Sequence, residues 1–467
     1  MSKLYTDLGK LIAHLDIPNG SRISFHHHLR NGDYVLNAVM AELAKQGKRD
    51  LTINASAFFD CHEPLIELIE KGVVSGLECN YMSAKLGAAI GLGILEKPVI
   101  FRTHGGRPKA ILDAVTPIDF AFIAAPTADY QGNLSGKYGP SACGSLGYAF
   151  PDARAAKTVI ALSDNLIDEA LADYSIPGCE VDYVVSLEQI GNPQGIVSGT
   201  TQVTRDPIGL LMAQLAVKTI QASGLLKDGF SFQTGAGGAS LASAKYLHEL
   251  MLEQGIKGSF GLGGITSYLV KMLEDGCFET LYDVQCFDLA AVESIRNNPQ
   301  HREVSAMHYA APSKQGALVD HLDLVILGAT EIDRNFNVNV HTNSQGQIMG
   351  GSGGHSDTAA GAKLAMIIAP LIRARMPLIL PEIQCVSTPG ESIDCVVTQY
   401  GIAVNPARSE LKARLEDAGL PLKSISELEQ IATKISGRPQ IQKASGRVIA
   451  EILYRDGSRL SEIRQKA

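Results

Sequence analysis

The 467-residue sequence has no tryptophan, no C-x-x-C pair, no basic surplus and no unbroken apolar run long enough for a membrane span. The missing tryptophan excludes nothing by itself. The eight cysteines are scattered, so paired metal or redox spacings are lacking. They are expected to be reduced and mostly buried, with Cys277 and Cys286, or Cys385 and Cys395, as conceivable neighbours. Lys and Arg number 41 against 49 Asp and Glu, a net charge of -8. That balance argues against nucleic acid as the main partner, since such binding rests on cationic neutralisation of phosphates. The most apolar stretch, Leu364–Leu380, is broken by Pro370, Pro377, Arg373 and Arg375, and reads as a helix end plus a buried strand. The N-terminus lacks the apolar core and small-residue cleavage site of a secretory signal. A cytoplasmic protein with no membrane partner is expected.

What is present is ordinary globular composition, 45% apolar and 19% charged, in a chain long enough for more than one core. Short apolar runs alternate with helical stretches: RISF, LTIN, PVIFRTH, DFAFIAA and TVIALSD in the first half, LDLVILGAT, NVNVHT, LILPEIQ and DCVVTQYGIAV in the second. This pattern predicts an α/β fold with mostly parallel sheets covered by helices. Ligands of such sheets sit at the carboxyl ends of the strands. The connector Asp206–Gly224 reads as a helix. After it, DGFSFQTGAGG echoes NGSRISFHHHLRNGD: an Asx-Gly turn, a strand ending in Ser-Phe, then a loop. Two domains of like architecture are expected, 1–223 and 224–467.

Three glycine-rich stretches, QTGAGGA (233–239), FGLGGIT (260–266) and GGSGGHSD (350–357), read as turns between a strand and a helix. Backbone N–H groups there favour negative charge, although tight turns need glycine anyway. None has the G-K-[ST] ending of a phosphate loop, and none a convincing dinucleotide fingerprint. An oxyanion of acyl transfer is the better match, held by Gly237, Gly238, Gly353 and Gly354, with His355 or Ser352 as supplements and Gly263 and Gly264 lining the substrate. His26, His27 and His28 follow a strand. Alternation lets at most two converge, and no further metal-ligand spacing accompanies them. No metal site is expected; a structural role and contact with an anionic substrate, together with Arg30, both remain open. In FRTHGGRPKA, Arg102, His104, Gly105, Gly106 and Arg107 suit a polycarboxylate or an ordinary basic turn. Glu331, at the end of an apolar run, reads equally as base, nucleophile or turn cap.

Across nearly its whole length the chain resembles the α subunits of bacterial citrate lyase. The resemblance is carried, in order, by SFHHHLRNGD, DCHEPL, HGGR, CGSLGYA, FSFQTGAGGASLA, LGGIT, EIDRNFNVNV, SGGHSDTA, GIAVNPAR and YRDGS. It implies two CoA-transferase-like (NagB/RpiA-type) domains. It also implies that acetyl on a carrier thioester is exchanged for citrate with release of acetate. Implied partners are a β (citryl lyase) subunit and a γ acyl carrier protein in an oligomer. The carrier would bear a CoA-like prosthetic group, acetyl-CoA would serve as surrogate, and no cofactor would be bound tightly by this chain. Many CoA transferases use a glutamate nucleophile; Ser259 stands where it is expected. The resemblance therefore implies direct attack by citrate through an acetyl-citryl anhydride. Another CoA transferase or thioester hydrolase acting on a related acid such as citramalate is the alternative, and a non-catalytic carrier-binding scaffold a third reading.

Overall fold

The connector helix forms over Pro207–Ser223 because its ends are written locally. Asp206 accepts from Gly209 N at 3.1 Å, Pro207 starts the first turn, and Gly224 closes the helix at φ 78°. In the computed structural model, which describes residues 3–197, 203–235, 237–437 and 444–466, this helix separates two sheets.

The first sheet has ten strands, in the order Leu4–Tyr5, Tyr183–Ser186, Thr158–Ser163, Phe120–Ala124, Arg22–Phe25, Leu51–Ala55, Val74–Cys79, Val99–Phe101, Val448–Leu453 and Arg459–Arg464. The second has eight: His301–Glu303, Phe278–Cys286, Gly258–Ile265, Ser231–Thr234, Leu324–Leu327, Leu364–Ile368, Cys395–Thr398 and Gly401–Val404. All neighbours are parallel except the last strand of each sheet, which returns antiparallel. From Tyr183–Ser186 to Val99–Phe101, the first sheet repeats the order that the second follows from Cys395–Thr398 to His301–Glu303. Each half also carries a small three-stranded sheet at the same point of its path, around Thr127–Asp129 and around Glu331–Asp333. The Ser-Phe strands Arg22–Phe25 and Ser231–Thr234 hold equivalent central places in the two sheets.

Three expectations change. The hairpin Val448–Arg464 does not stay with the second sheet, as a 224–467 unit requires; Ala450 pairs with Val99 and Ile452 with Phe101. The reason is burial: Val99 and Phe101 are fully enclosed, and Ala450 and Ile452 complete that apolar layer. Gly258–Ile265 is a strand with a bulge at Gly263/Gly264, not a loop. A Cβ on Gly264 would lie 2.3 Å from the Phe287 ring, so close packing demands the glycine. Finally, the helix before the apolar stretch ends at Gly361, and Leu364–Ile368 is already strand. Its five residues are all buried between layers.

One apolar core runs from Leu11 to Ile463 and joins both halves. Among the described residues no helix is long and apolar enough to cross a membrane. All eight cysteines are free; six are buried, Cys61 is half-buried and Cys179 exposed.

Candidate active site

The carboxyl ends of the two sheets face each other, and residues at and just past the strand ends interlock. Gln285 Nε2 donates to His27 O at 2.9 Å. Ser145 Oγ donates to Asp283 O at 2.9 Å, and His104 N to Gly353 O at 2.8 Å. Gly353 adopts φ 50°, a conformation that favours glycine. A Cβ on Gly354 would sit 2.4 Å from Tyr309 Oη, and one on Gly351 2.1 Å from Asn80 O. Gly354 makes room for Tyr309 of its own half, while Gly351 and Gly353 let the 350–354 segment lie against Asn80 and His104 of the first half. Asp357, at the start of helix His355–Gly361, locks it there by accepting from Thr103 Oγ1 at 2.8 Å and Gly105 N at 3.0 Å.

At this junction aromatic and imidazole rings of the first half form a continuous wall, which Arg30 joins to Phe287 of the second half. His27 lies 4.8 Å from Tyr148 and 5.9 Å from both His104 and Phe59, and His104 lies 4.5 Å from Tyr148, centroid to centroid. The Arg30 guanidinium stands over Phe59 at 5.4 Å and over Phe287 of the second half at 4.6 Å. It has no carboxylate or hydrogen-bond partner among the described residues, and its Nε is buried without one. Burial lowers its affinity for its proton, yet a guanidinium stays charged at neutral pH. The imidazoles are the opposite case. Burial first, and the Arg107 charge second, push His104 down to about 3. His27 is also driven well down by burial and by His104. Both are neutral at physiological pH. His104 Nδ1 is buried with no partner, and so is Gln233 Oε1; the Gln233 amide donates from Nε2 to Tyr309 Oη at 2.9 Å. The wall therefore offers one unpaired cation and several neutral polar groups.

Other candidates go elsewhere. Arg107 is fully buried and spent: Nε donates to Asn54 Oδ1 at 2.7 Å, and Nη2 and Nη1 to Asp152 at 2.9 and 3.1 Å. It anchors the first sheet and has no donor to give a polycarboxylate. Arg102 turns toward Thr116 Oγ1, 3.2 Å away, and Glu78. Gly105 N is claimed by Asp357, and Gly106 N by Thr103 Oγ1 at 2.8 Å, so neither backbone donor is free. His26 Nε2 accepts from Ala124 N at 2.9 Å while its Nδ1 meets His28, which is the structural role. Among the described residues no group of three or more His, Cys, Asp or Glu could hold a metal.

His355 Nε2 meets Gly328 O at 2.9 Å and Nδ1 meets Thr388 Oγ1 at 2.7 Å. Both ring nitrogens are engaged within the fold. Ser352 N donates to His341 Nε2 at 3.3 Å. Glu331 is buried, accepts from Asn339 Nδ2 at 2.9 Å, and touches none of the wall residues. Gly263 and Gly264 make room for Gln233 and Phe287 and form no cradle. Gly237 and Gly238 open the long helix Gly238–Gln254 just past Gln233; Ala236 of that stretch lies outside the described residues. The wall residues that sequence reading passed over, Phe59, Tyr148, Gln233 and Phe287, are apolar or neutral. Gln233 lies inside a stretch singled out for glycine, where spacing says nothing about neighbouring side chains, and Tyr148 inside CGSLGYA, one of the stretches that carry the family resemblance. A cavity of about 740 Å³ lies elsewhere, lined by Arg334, Cys385, Glu429 and Arg464 among others.

Two topologically matched parallel sheets, meeting at their carboxyl ends over an unpaired arginine and neutral donors, define a two-sheet α/β enzyme. A model for citrate lyase, alpha subunit, matches residues 1–466. The chain is 46% identical over 463 residues to the citrate lyase alpha chain of Klebsiella pneumoniae, covering 99% of this chain and 91% of that one. It superposes with TM-score 0.98 and 44% identity on the alpha subunit of citrate lyase in complex with citrate from Streptococcus mutans, over 100% of this chain and 92% of that chain. At 18% identity, the malonate decarboxylase alpha subunit of Acinetobacter baumannii shares the fold, with TM-score 0.68 over 94% and 96% of the two chains. The chain belongs to the citrate lyase alpha-subunit family, the transferase component of that enzyme.

Proposed function

We propose that the wall of His27, Arg30, His104 and Tyr148 is where citrate meets an acetyl thioester, within two CoA-transferase-like domains. The observation that carries this reading is Arg30, a cation held between two aromatic rings with no counter-ion among the described residues. A carboxylate pairs with a guanidinium through two parallel hydrogen bonds. Citrate in this place would supply the missing anion.

The chemistry then needs no strong base. A carboxylate oxygen of citrate attacks the acetyl carbonyl, whose electron pair moves to oxygen. Collapse expels the thiolate and leaves an acetyl-citryl anhydride. The thiolate then attacks the citryl carbonyl and acetate departs. Each attack makes an oxyanion. Neutral donors such as the Tyr148 hydroxyl and the His104 imidazole stabilise such charge without surrendering a proton, in a site prearranged by the interlocked loops. Burial pushes Tyr148 well above its ordinary value, which keeps its proton in place as a donor. First-turn N–H groups behind Gly237 and Gly238 suit the same charge. Glu331, hydrogen-bonded to Asn339 and away from the wall, and Ser259, in a strand, give no support to a glutamyl-enzyme route.

The thioester would be the CoA-like arm of an acyl carrier subunit, and a lyase subunit would consume the citryl product. The free and mostly buried thiols fit a reducing, cytoplasmic setting.

Acetate release from acetyl-CoA on addition of citrate tests the reading. Arg30→Gln is expected to lower kcat/KM for citrate on the order of 10²-fold, as loss of a charge-assisted pair of about 3 kcal/mol requires. Unchanged citrate use would remove Arg30 from the site. A carboxylate modified by borohydride or hydroxylamine after acetyl-CoA treatment would replace the anhydride by a glutamyl intermediate.

A further inference from the structure

A site for citrate must satisfy two opposite kinds of group. Its three carboxylates only accept hydrogen bonds, whereas its tertiary hydroxyl also donates one. Arg30 and Tyr148 supply donors, and so do the neutral imidazoles. An acceptor is scarcer. Among the described residues, the buried side-chain amide oxygens without a hydrogen-bond partner are Asn37 Oδ1, Asn80 Oδ1 and Gln233 Oε1. The other such acceptors are hydroxyls and the imidazole nitrogens His104 Nδ1 and His248 Nε2, which accept only when the proton sits on the opposite ring nitrogen. Asn37 stands on the helix Val35–Lys45 with its amide on Cys61 O, outside the wall. Asn80 is completely enclosed and covered by Gly351, whose Cβ would meet Asn80 O at 2.1 Å. Gln233 keeps 8% of its surface exposed, at the carboxyl end of the central strand Ser231–Thr234.

The fold goes to some length to hold this amide. Gly263, at φ 109°, leaves the space that a side chain would take, since its Cβ would fall 2.8 Å from Gln233 Cδ. Tyr309 Oη fixes the amino end at 2.9 Å, and Tyr309 is itself wedged against Gly354. A buried carbonyl left unsatisfied is costly. An amide fastened by one end with the other end bare is arranged for a ligand. We infer that the Gln233 carboxamide accepts the hydrogen bond of the substrate's tertiary hydroxyl, and so selects hydroxy-tricarboxylates over their deoxy analogues. This rests on the reading of the wall as the citrate site.

The discriminating pair is citrate and propane-1,2,3-tricarboxylate, which differ only in that hydroxyl. Acetate release from acetyl-CoA is measured with each acid, alongside calorimetric binding of each acid alone. Wild-type protein is expected to prefer citrate. Gln233→Met keeps the side chain's length without the acceptor. It should lower kcat/KM and affinity for citrate about tenfold, the loss of one neutral hydrogen bond, and leave the deoxy acid within twofold. The citrate preference then falls about tenfold. Equal losses for both acids, or a wild-type protein indifferent to the hydroxyl, overturn the inference. Should Gln233→Met fail to fold, Gln233→Asn withdraws the same amide by one methylene and is expected to erode the same ratio; an unchanged ratio overturns it. A wild-type protein that binds citrate selectively but releases no acetate would count against the transfer reading and leave the role of Gln233 standing.

Discussion

Each half of the molecule has a glycine-bearing loop, then a short helix whose third residue is a buried aspartate: Asp152 in Phe150–Ala155 and Asp357 in His355–Gly361. The two are topological equivalents with different partners. Asp152 takes Arg107 of its own half through both oxygens. Asp357 reaches across to Thr103 and Gly105 of the other half, with Arg455 Nε 3.8 Å away. One copy of the device ties a helix to its own sheet; the other ties the two halves together. Divergence between the copies is thus concentrated where a second surface had to be made.

That contrast breaks most visibly at Asp152. Asp152→Ala strands the Arg107 charge in the core, and should cost about 3–5 kcal/mol in urea unfolding; a loss under ~1 kcal/mol would mean the Asn54 and backbone contacts suffice.

Asp357 should behave differently. Burial, offset in part by Gly105 N–H, raises its carboxyl from 3.8 to about 6. An acid with a raised value in the folded state binds more protons there than in the unfolded chain. The contribution of Asp357 to stability therefore falls as pH rises from about 4 to about 6, by roughly 3 kcal/mol, against the opposite trend of buried neutral histidines such as His27 and His104. Asp357→Asn is expected to abolish that fall. Unfolding curves at pH 4.5 and pH 7 for both proteins give the answer, and identical slopes would assign the titration to another group.

The smallest effect is expected at Glu331, whose counterpart in the first half's small sheet is Thr127. Glu331→Gln keeps the side chain's size and an acceptor for Asn339, so acetate release should stay within about twofold. A loss of several orders would restore it as a catalytic group.

Much of the architecture was readable from residue order. Apolar runs such as Thr158–Ser163 and Leu324–Leu327 are strands, and the Asp206, Pro207 and Gly224 signals bound the connector helix correctly. The Ser-Phe echo marks equivalent strands. A stronger echo went unread: Pro177-Gly178 followed by Asp182 and Val184-Val185 matches Pro389-Gly390 followed by Asp394 and Val396-Val397. In both copies the aspartate accepts from the neighbouring strand, Val159 N at 2.8 Å and Ala365 N at 2.6 Å. The site was harder. Arg30 and Arg107 are the same residue type close to glycines in sequence, the first opening a 3-10 turn and the second in the first turn of an α-helix. Yet one side chain has no carboxylate or hydrogen-bond partner among the described residues and the other is saturated. That difference depends on Asp152 and Asn54, which lie 45 and 53 residues from Arg107. Gly263 and Gly264 misled because glycine answers two needs, a turn and a close approach, and periodicity does not separate them.

The returning hairpin Val448–Arg464 has a meaning for synthesis. Strand Val99–Phe101 gains its outer partner only when residue 450 has emerged, about 350 residues later. At ribosomal speed that delay is on the order of tens of seconds. An open strand edge is a template for wrong pairing. The hairpin then ends in a strand bearing Arg459, Glu462 and Arg464, charges that discourage further pairing. The first half, written first, is finished last.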